Sequence, residues 1–205
     1  MRKVVLAVAL GLVMPSCASA QMAGTSDSVH VRNRCRLAVQ IITTGNPEPH
    51  TDWAYEHVRL CGKEGAAAVA QAMLAAAAET DRAEWEKLTT PGFYVRDAGI
   101  FDAALRLSGN PAASTTARVY SMKVLVQSLS PGTTLTYDDL TRGPTARRVC
   151  FGTGPGSHHE VEEVSPLPSD YRERARAAMA RLTEDPAQGF AIRQAARCVA
   201  VHARR

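Results

Sequence analysis

The 205-residue chain lacks most of the signatures by which a sequence announces its chemistry. No HExxH run sets two histidines on one helical face, and no Lys-Ser/Thr follows a Gly-rich loop to cradle phosphate. No GxSxG elbow is present, so a hydrolase of that kind has no support. The cysteines show neither CxxC redox spacing nor that of a paired zinc site. After residue 20, no apolar run approaches the roughly 20 residues needed to span a bilayer. Charge of either sign is also scarce in excess. Without the basic residues Arg2 and Lys3, 22 Lys+Arg face 20 Asp+Glu. So small a balance argues against a nucleic-acid or membrane-surface footprint, which needs clustered positive charge.

What is present begins with a targeting pattern. Arg2 and Lys3 precede an apolar stretch from Val4 to Val13, and Ala18-Ser19-Ala20 offers a small-residue cleavage site before Gln21. Residues 1–20 therefore read as an export signal peptide, and residues 21–205 as a single domain in the periplasm or outside the cell. Met14-Pro15-Ser16-Cys17 loosely resembles a lipoprotein box, making a lipid anchor at Cys17 the alternative processing. Four further cysteines, Cys35, Cys61, Cys150 and Cys198, form an even set. In an exported protein that pattern implies two disulfides, with three possible pairings.

Helical periodicity dominates the remainder. It predicts helices at about 27–43, from Thr51 or Asp52 to near Gly62, at 64–79, from an Asp81–Glu84 capping box to about Leu88, at 93–108, and from Ser114 to Leu129. Two more are expected at 169–184 and 187–203. Residues 130–168 break the pattern with ten glycines and prolines. A loop this long in a compact domain is unusual, and is commonly functional or flexible. Within it, Tyr137–Leu140 could form one helical turn and Arg147–Phe151 a short extended piece.

One motif occurs twice, 75 residues apart: Ala103-Ala-Leu-Arg106-Leu107-Ser-Gly-Asn110-Pro111-Ala112, then Arg118, and Ala178-Met-Ala-Arg181-Leu182-Thr-Glu-Asp185-Pro186-Ala187, then Arg193. Each copy reads as a helix end, a turn and the start of the next helix. The prolines suit a first helical turn, where no backbone donor is needed. Arg118 and Arg193 could reach carbonyls or acids of the turn below. Gly45-Asn46-Pro47 hints at a third, degenerate unit.

Glu184-Asp185-Pro186 followed by Ala191-Ile192-Arg193-Gln194-Ala195-Ala196 resembles the Asp-Pro turn and following Val-Arg-x-Ala-Ala helix of HEAT-repeat and armadillo-like α-solenoids. Ala117-Arg118-Val119 is a weaker match. The resemblance covers about two units and implies an all-α fold of antiparallel hairpins stacked in an irregular HEAT-like array, interrupted by loop 130–168. It implies a binding scaffold and carries over no catalytic residue. In a helical hairpin, Cys35 and Cys61 could face each other across the Asn46-Pro47 turn. The favoured pairs are therefore Cys35–Cys61 and Cys150–Cys198.

The metal-capable side chains cluster at His158, His159 and Glu160, with Glu162 and Glu163 nearby. They are weak candidates, because the Gly-rich loop carrying them lacks a rigid ligand spacing. Trp53, Tyr55, Trp85, Phe93, Tyr94 and Phe101 could line a groove, although aromatics at helical spacing more often fill a core. Tyr171-Arg172-Glu173-Arg174 reads as a solvated helix face, with Glu173 and Arg176 spaced to pair. The expectation is a non-enzymatic exported protein that binds an envelope or secreted partner, without cofactor or nucleic acid. The alternative is a small exported hydrolase or metal-dependent enzyme with its site in loop 130–168.

Overall fold

A computed structural model describes residues 18–44, 51–133, 135–141, 150 and 161–204, and the side chains within them except those of 18–28, 51, 52 and 93. The fold is all-α. Its helices are α1 (Ala18–Thr44), α2 (Thr51–Val58), α3 (Gly62–Ala75), α4 (Arg82–Thr89), α5 (Ala98–Gly109), α6 (Thr115–Leu129), α7 (Tyr137–Thr141), α8 (Tyr171–Glu184) and α9 (Phe190–Ala203). The chain divides into two compact units, one up to Asn33 and one from Arg34 to Arg205. The first unit is described only as helix from Ala18 onward, with Val29 and Val31 exposed. The signal-peptide reading of residues 1–17, the lipid-anchor alternative at Cys17 and the Asn46-Pro47 turn lie outside the described residues.

In the second unit, helices pair as hairpins and the hairpins meet side by side. α3 turns back through α4, α5 through α6, and α8 through α9. The first helices contact in the order α3, α5, α8, and the second helices in the order α4, α6, α9. The α3/α4 hairpin thus neighbours α5/α6. α6 is enclosed by α4, α5, α7 and α9, and its residues from Thr116 to Leu129 are all buried. A helix buried all round needs partners for each polar group it carries. Ser121 and Ser128 donate to the carbonyls of Ala117 and Val124 one turn back, and Lys123 Nζ reaches Glu86 Oε1 at 2.6 Å.

Small residues allow close approach where α2 meets α3. A Cβ on Gly65 would collide with the Val58 carbonyl oxygen. Gly62, at φ 55°, makes the left-handed turn between the two helices that a side chain disfavours. The sulfurs of Cys35 and Cys61 are bonded, with Cα atoms 5.3 Å apart, fastening α1 to the 3-10 turn after α2. Cys150 is bonded to Cys198, at a Cα separation of 5.0 Å, fastening the long loop to α9. These are the two pairs favoured from the sequence.

Several local expectations need correction. The helix expected at 93–108 starts at Ala98, because Asp97 caps it by accepting from Gly99 and Ile100 N–H. Val95 and Arg96 instead form a parallel bridge with Glu162 and Glu163, so extended structure appears there. Of the extended piece expected at Arg147–Phe151, only Cys150 is described. Asp81 caps α4 through Ala83 N–H, but its own N–H donates to Glu79 Oε1 at 2.7 Å, so the Asp81–Glu84 box is not reciprocal. α8 opens after Asp170 with no side-chain cap, and Ser169 does not serve. Pro111 and Pro186 lie in the turns rather than in first helical turns, since α6 and α9 begin only at Thr115 and Phe190.

The solvated-face reading of residues 171–174 holds for exposed Glu173 but not for the two half-buried arginines beside it. Arg172 donates to the carbonyls of His202 and Leu129 at 3.0 and 2.9 Å, and Arg174 pairs with Asp102 at 2.8 Å. Only the Glu173–Arg176 pair stands where the spacing placed it, at 3.9 Å. Trp85 and Phe101 are core residues, whereas Trp53, Tyr55 and Tyr94 are half-buried. The Phe93 side chain lies outside the described set.

A candidate binding groove between the first helices

The two copies of the repeated motif form turns of the same geometry. Asn110 ends α5 at φ −81°, ψ 110°, and Asp185 ends α8 at φ −72°, ψ 111°. Asn110 Oδ1 accepts from Ala112 N–H at 3.0 Å, and Asp185 Oδ1 accepts from Ala187 N–H at 2.9 Å. Such side-chain-to-backbone bonds are why Asn and Asp start tight turns. Each turn closes with a further backbone bond of 3.2 Å, from Ala113 to Asn110 and from Gln188 to Asp185. Ser114 and Gly189 then begin the second helices at nearly identical dihedrals.

A polar chain ties the second turn to the first hairpin. Arg118, in buried α6, donates through Nε to Ser108 O at 3.0 Å and through a terminal nitrogen to Gln188 Oε1 at 2.7 Å. Gln188 Nε2 in turn donates to Asp185 Oδ2 at 2.7 Å. The Gln188 bond, the Ala187 N–H and the nearby Arg118 and Arg193 charges hold the Asp185 carboxyl below its usual range. Burial pulls the Arg118 guanidinium down from its ordinary value, and Asp185 opposes that. Arg118 thus reaches a carbonyl of the preceding helix, as its position implied. Arg193 is half-buried and acts on Asp185 through its charge.

Beside these turns the molecule opens. α6 and α9 meet more extensively than α5 and α8 do, so the first-helix side is left wedged apart. The resulting cleft, of about 740 Å³, has Leu105, Ala177, Ala178 and Leu182 on its walls. Arg106, Arg174 and Arg181 edge it, and Asp185 and Gln188 close its turn end. Arg174 is paired with Asp102. Arg106 and Arg181 are exposed and form no ion pair with any described residue. They are the matched arginines of the two motif copies. Apolar walls with a few placed polar groups are the usual composition of a binding cleft.

A second depression, of about 410 Å³, adjoins the first and shares Arg106, with Leu74, Ala77, Leu107 and Asn110 around it. A third, of about 600 Å³, is bordered by Arg59, Leu60, Tyr94, Val161 and Glu162 at the end of the long loop.

The metal candidates His158, His159 and Glu160 lie outside the described residues. Among those described, no three His, Cys, Asp or Glu side chains gather as a metal site, and no helix is long and apolar enough to cross a membrane. The groove arginines were missed as site residues from the sequence alone. The signal was available, since Arg106 and Arg181 occupy the same place in a motif chosen for its turn. No family model, curated protein or solved structure matches the chain.

Proposed function

We propose that this protein is an exported, non-enzymatic binding module, an irregular HEAT-like array of helical hairpins that holds a protein partner of the bacterial envelope in the α5/α8 groove. The observation that carries the reading is the groove itself: apolar walls edged by two arginines, at matched positions of neighbouring hairpins, that have no ion-pair partner among the described residues. The two equivalent turns favour a common origin for the hairpins, and stacked hairpins bury a face that neither could bury alone. Export rests on the leader-like residues 1–20 and on the two disulfides, which persist in oxidising compartments.

The test is site-specific crosslinking in intact cells, with a photoreactive amino acid in place of Leu105 in the groove or of Arg197, which is exposed on α9. The expected result is a discrete adduct from position 105 and none from position 197. Equal labelling from both, or none from 105, removes the groove as the binding surface. Mass spectrometry of the mature N-terminus separates cleavage before Gln21 from lipidation at Cys17. An intact leader would overturn cleavage of an export signal.

A further inference from the structure

Two features of the groove define what would fill it, given that it is the binding surface. The first is charge. Arg174 is already neutralised by Asp102 at 2.8 Å, and Asp185 is held by Gln188, Ala187 N–H and the charges of Arg118 and Arg193. Arg106 and Arg181 remain as two charges along the cleft with no ion-pair partner among the described residues. The second is extent. The α5/α8 cleft and the depression beside Leu74 and Ala77 share Arg106, so one track runs across α3, α5 and α8 instead of ending in a closed pocket. A small anion would satisfy one arginine and leave the apolar walls wet.

We propose that the occupant is an extended acidic segment of a partner polypeptide, which sets one carboxylate on Arg106, another on Arg181, and an apolar side chain between them on Leu105, Ala178 and Leu182. An extended chain advances about 3.3 Å per residue, with successive side chains on opposite sides. Two acidic residues at i and i+2 share one side of such a segment, about 7 Å apart, where the exposed, long arginine side chains reach them from the edge of the cleft, while the apolar residue between them turns to the opposite side and onto the walls. Each guanidinium presents a planar fork of donors matched to a carboxylate. Charge–charge attraction of this exposed kind weakens as salt screens it.

The probe is a fluorescein-labelled peptide of alternating Glu and Leu, followed by anisotropy with the oxidised protein. Its controls are the same peptide with Lys for Glu, and free glutamate as competitor. Binding should be lost with the Lys peptide and resist millimolar glutamate. Arg106→Glu and Arg181→Glu should each weaken binding at least tenfold, and together abolish it. Both side chains are exposed, and circular dichroism and thermal midpoints should match the parent. Equal affinity for the Glu and Lys peptides, displacement by free glutamate, or unchanged binding in the double variant would each overturn the proposal.

A separate arm keeps the groove distinct from its occupant. Ala178→Trp, on the groove wall, should block whatever binds there. If it abolishes the cellular crosslink from position 105 while Arg106→Glu and Arg181→Glu leave that crosslink intact, the groove stands and the acidic segment falls. If Ala178→Trp leaves the crosslink unchanged, the groove reading itself falls.

Discussion

In the α5/α6 hairpin, position 101 is a phenylalanine with no exposed surface, packed edge-on against Tyr171 at 6.0 Å between ring centroids. In α8/α9 the matched residue, 75 positions on, is Arg176, whose side chain is 59% exposed. The second helices differ in the same systematic way. Lys123 of α6 reaches Glu86 on α4 at 2.6 Å, whereas its counterpart Cys198 is bonded to Cys150 of the long loop. Gln127 donates to Thr133 O at 3.1 Å, whereas its counterpart His202 holds Cys150 O at 2.6 Å and Ser130 Oγ at 2.9 Å. A carbonyl can only accept, so in the neutral imidazole Nε2 carries the proton and Nδ1 receives the Ser130 hydroxyl hydrogen. Matched turns therefore do not imply matched roles. The hairpin in the middle has helices on both sides, whereas the later hairpin is bonded through Cys198 to Cys150.

The largest effect should separate the cores. Phe101→Ala leaves a cavity among Tyr171 and its neighbours and should cost about 3–5 kcal/mol. Arg176→Ala should stay within about 0.5 kcal/mol, as surface changes do. Urea unfolding of both variants gives the two numbers. Similar losses would mean that the α8 position is also part of the core.

Next comes the fastening of α9. Replacing Cys150 and Cys198 together by alanine frees the unfolded chain from a bridge spanning 48 residues and should cost about 2–4 kcal/mol. The loop should become more sensitive to protease in this variant, while the α5/α6 hairpin keeps its slow amide exchange. Exchange that quickens equally in both hairpins would show that the bridge supports the whole unit and not α9 alone.

The two turn arginines should then part company. Arg118 is 7% exposed and makes two charge-assisted hydrogen bonds, so Arg118→Ala should cost about 1.5–3 kcal/mol, and lysine, without the fork, should not restore it. Arg193 is half-buried with no such pair of bonds, and Arg193→Ala should cost below about 1 kcal/mol. Thermal unfolding compares the three variants. Equal costs at 118 and 193 would make the polar chain through Gln188 energetically silent.

Helix content was legible because the apolar spacing of α5, α8 and α9 is set by which residues meet the core, and that is local information. For the disulfides, a hairpin reading of the first two helices favoured Cys35–Cys61, and Cys150–Cys198 was the pair that remained. Long-range pairing was not legible. Nothing around Val95 and Arg96 marks them as partners of Glu162 and Glu163, 67 residues away, so they read as one helix with Ala98 and its successors. Arg172 and Arg174 looked like a wet surface because charged residues usually are. Their partners are the carbonyls of Leu129 and His202 and the carboxylate of Asp102, which only the tertiary fold brings near. The groove was hidden for a related reason. Arg106 and Arg181 become one site only when α5 and α8 stand side by side.

Asp185 offers the finest contrast between the two hairpins, because Asn110 makes the same turn bond without a charge. Asp185→Asn keeps that bond, and loses the acceptor for Gln188 and the charge beside Arg118 and Arg193. The carboxyl of Asp185 titrates below its ordinary value of 3.8 in the folded protein. The unfolded chain thus binds this proton more readily than the folded one. Its contribution is accordingly complete above the ordinary carboxylate range and disappears as pH falls through the folded value. The thermal midpoint of Asp185→Asn should lie slightly below the parent's at pH 7, and the gap should close as the acid range is entered. The Asn110→Asp variant should not reproduce this acid dependence, because the residue matching Gln188 in the first turn is Ala113, which has no side-chain donor to offer a carboxylate. A gap that stays constant with pH would leave Asp185 with the same purely geometric role as Asn110.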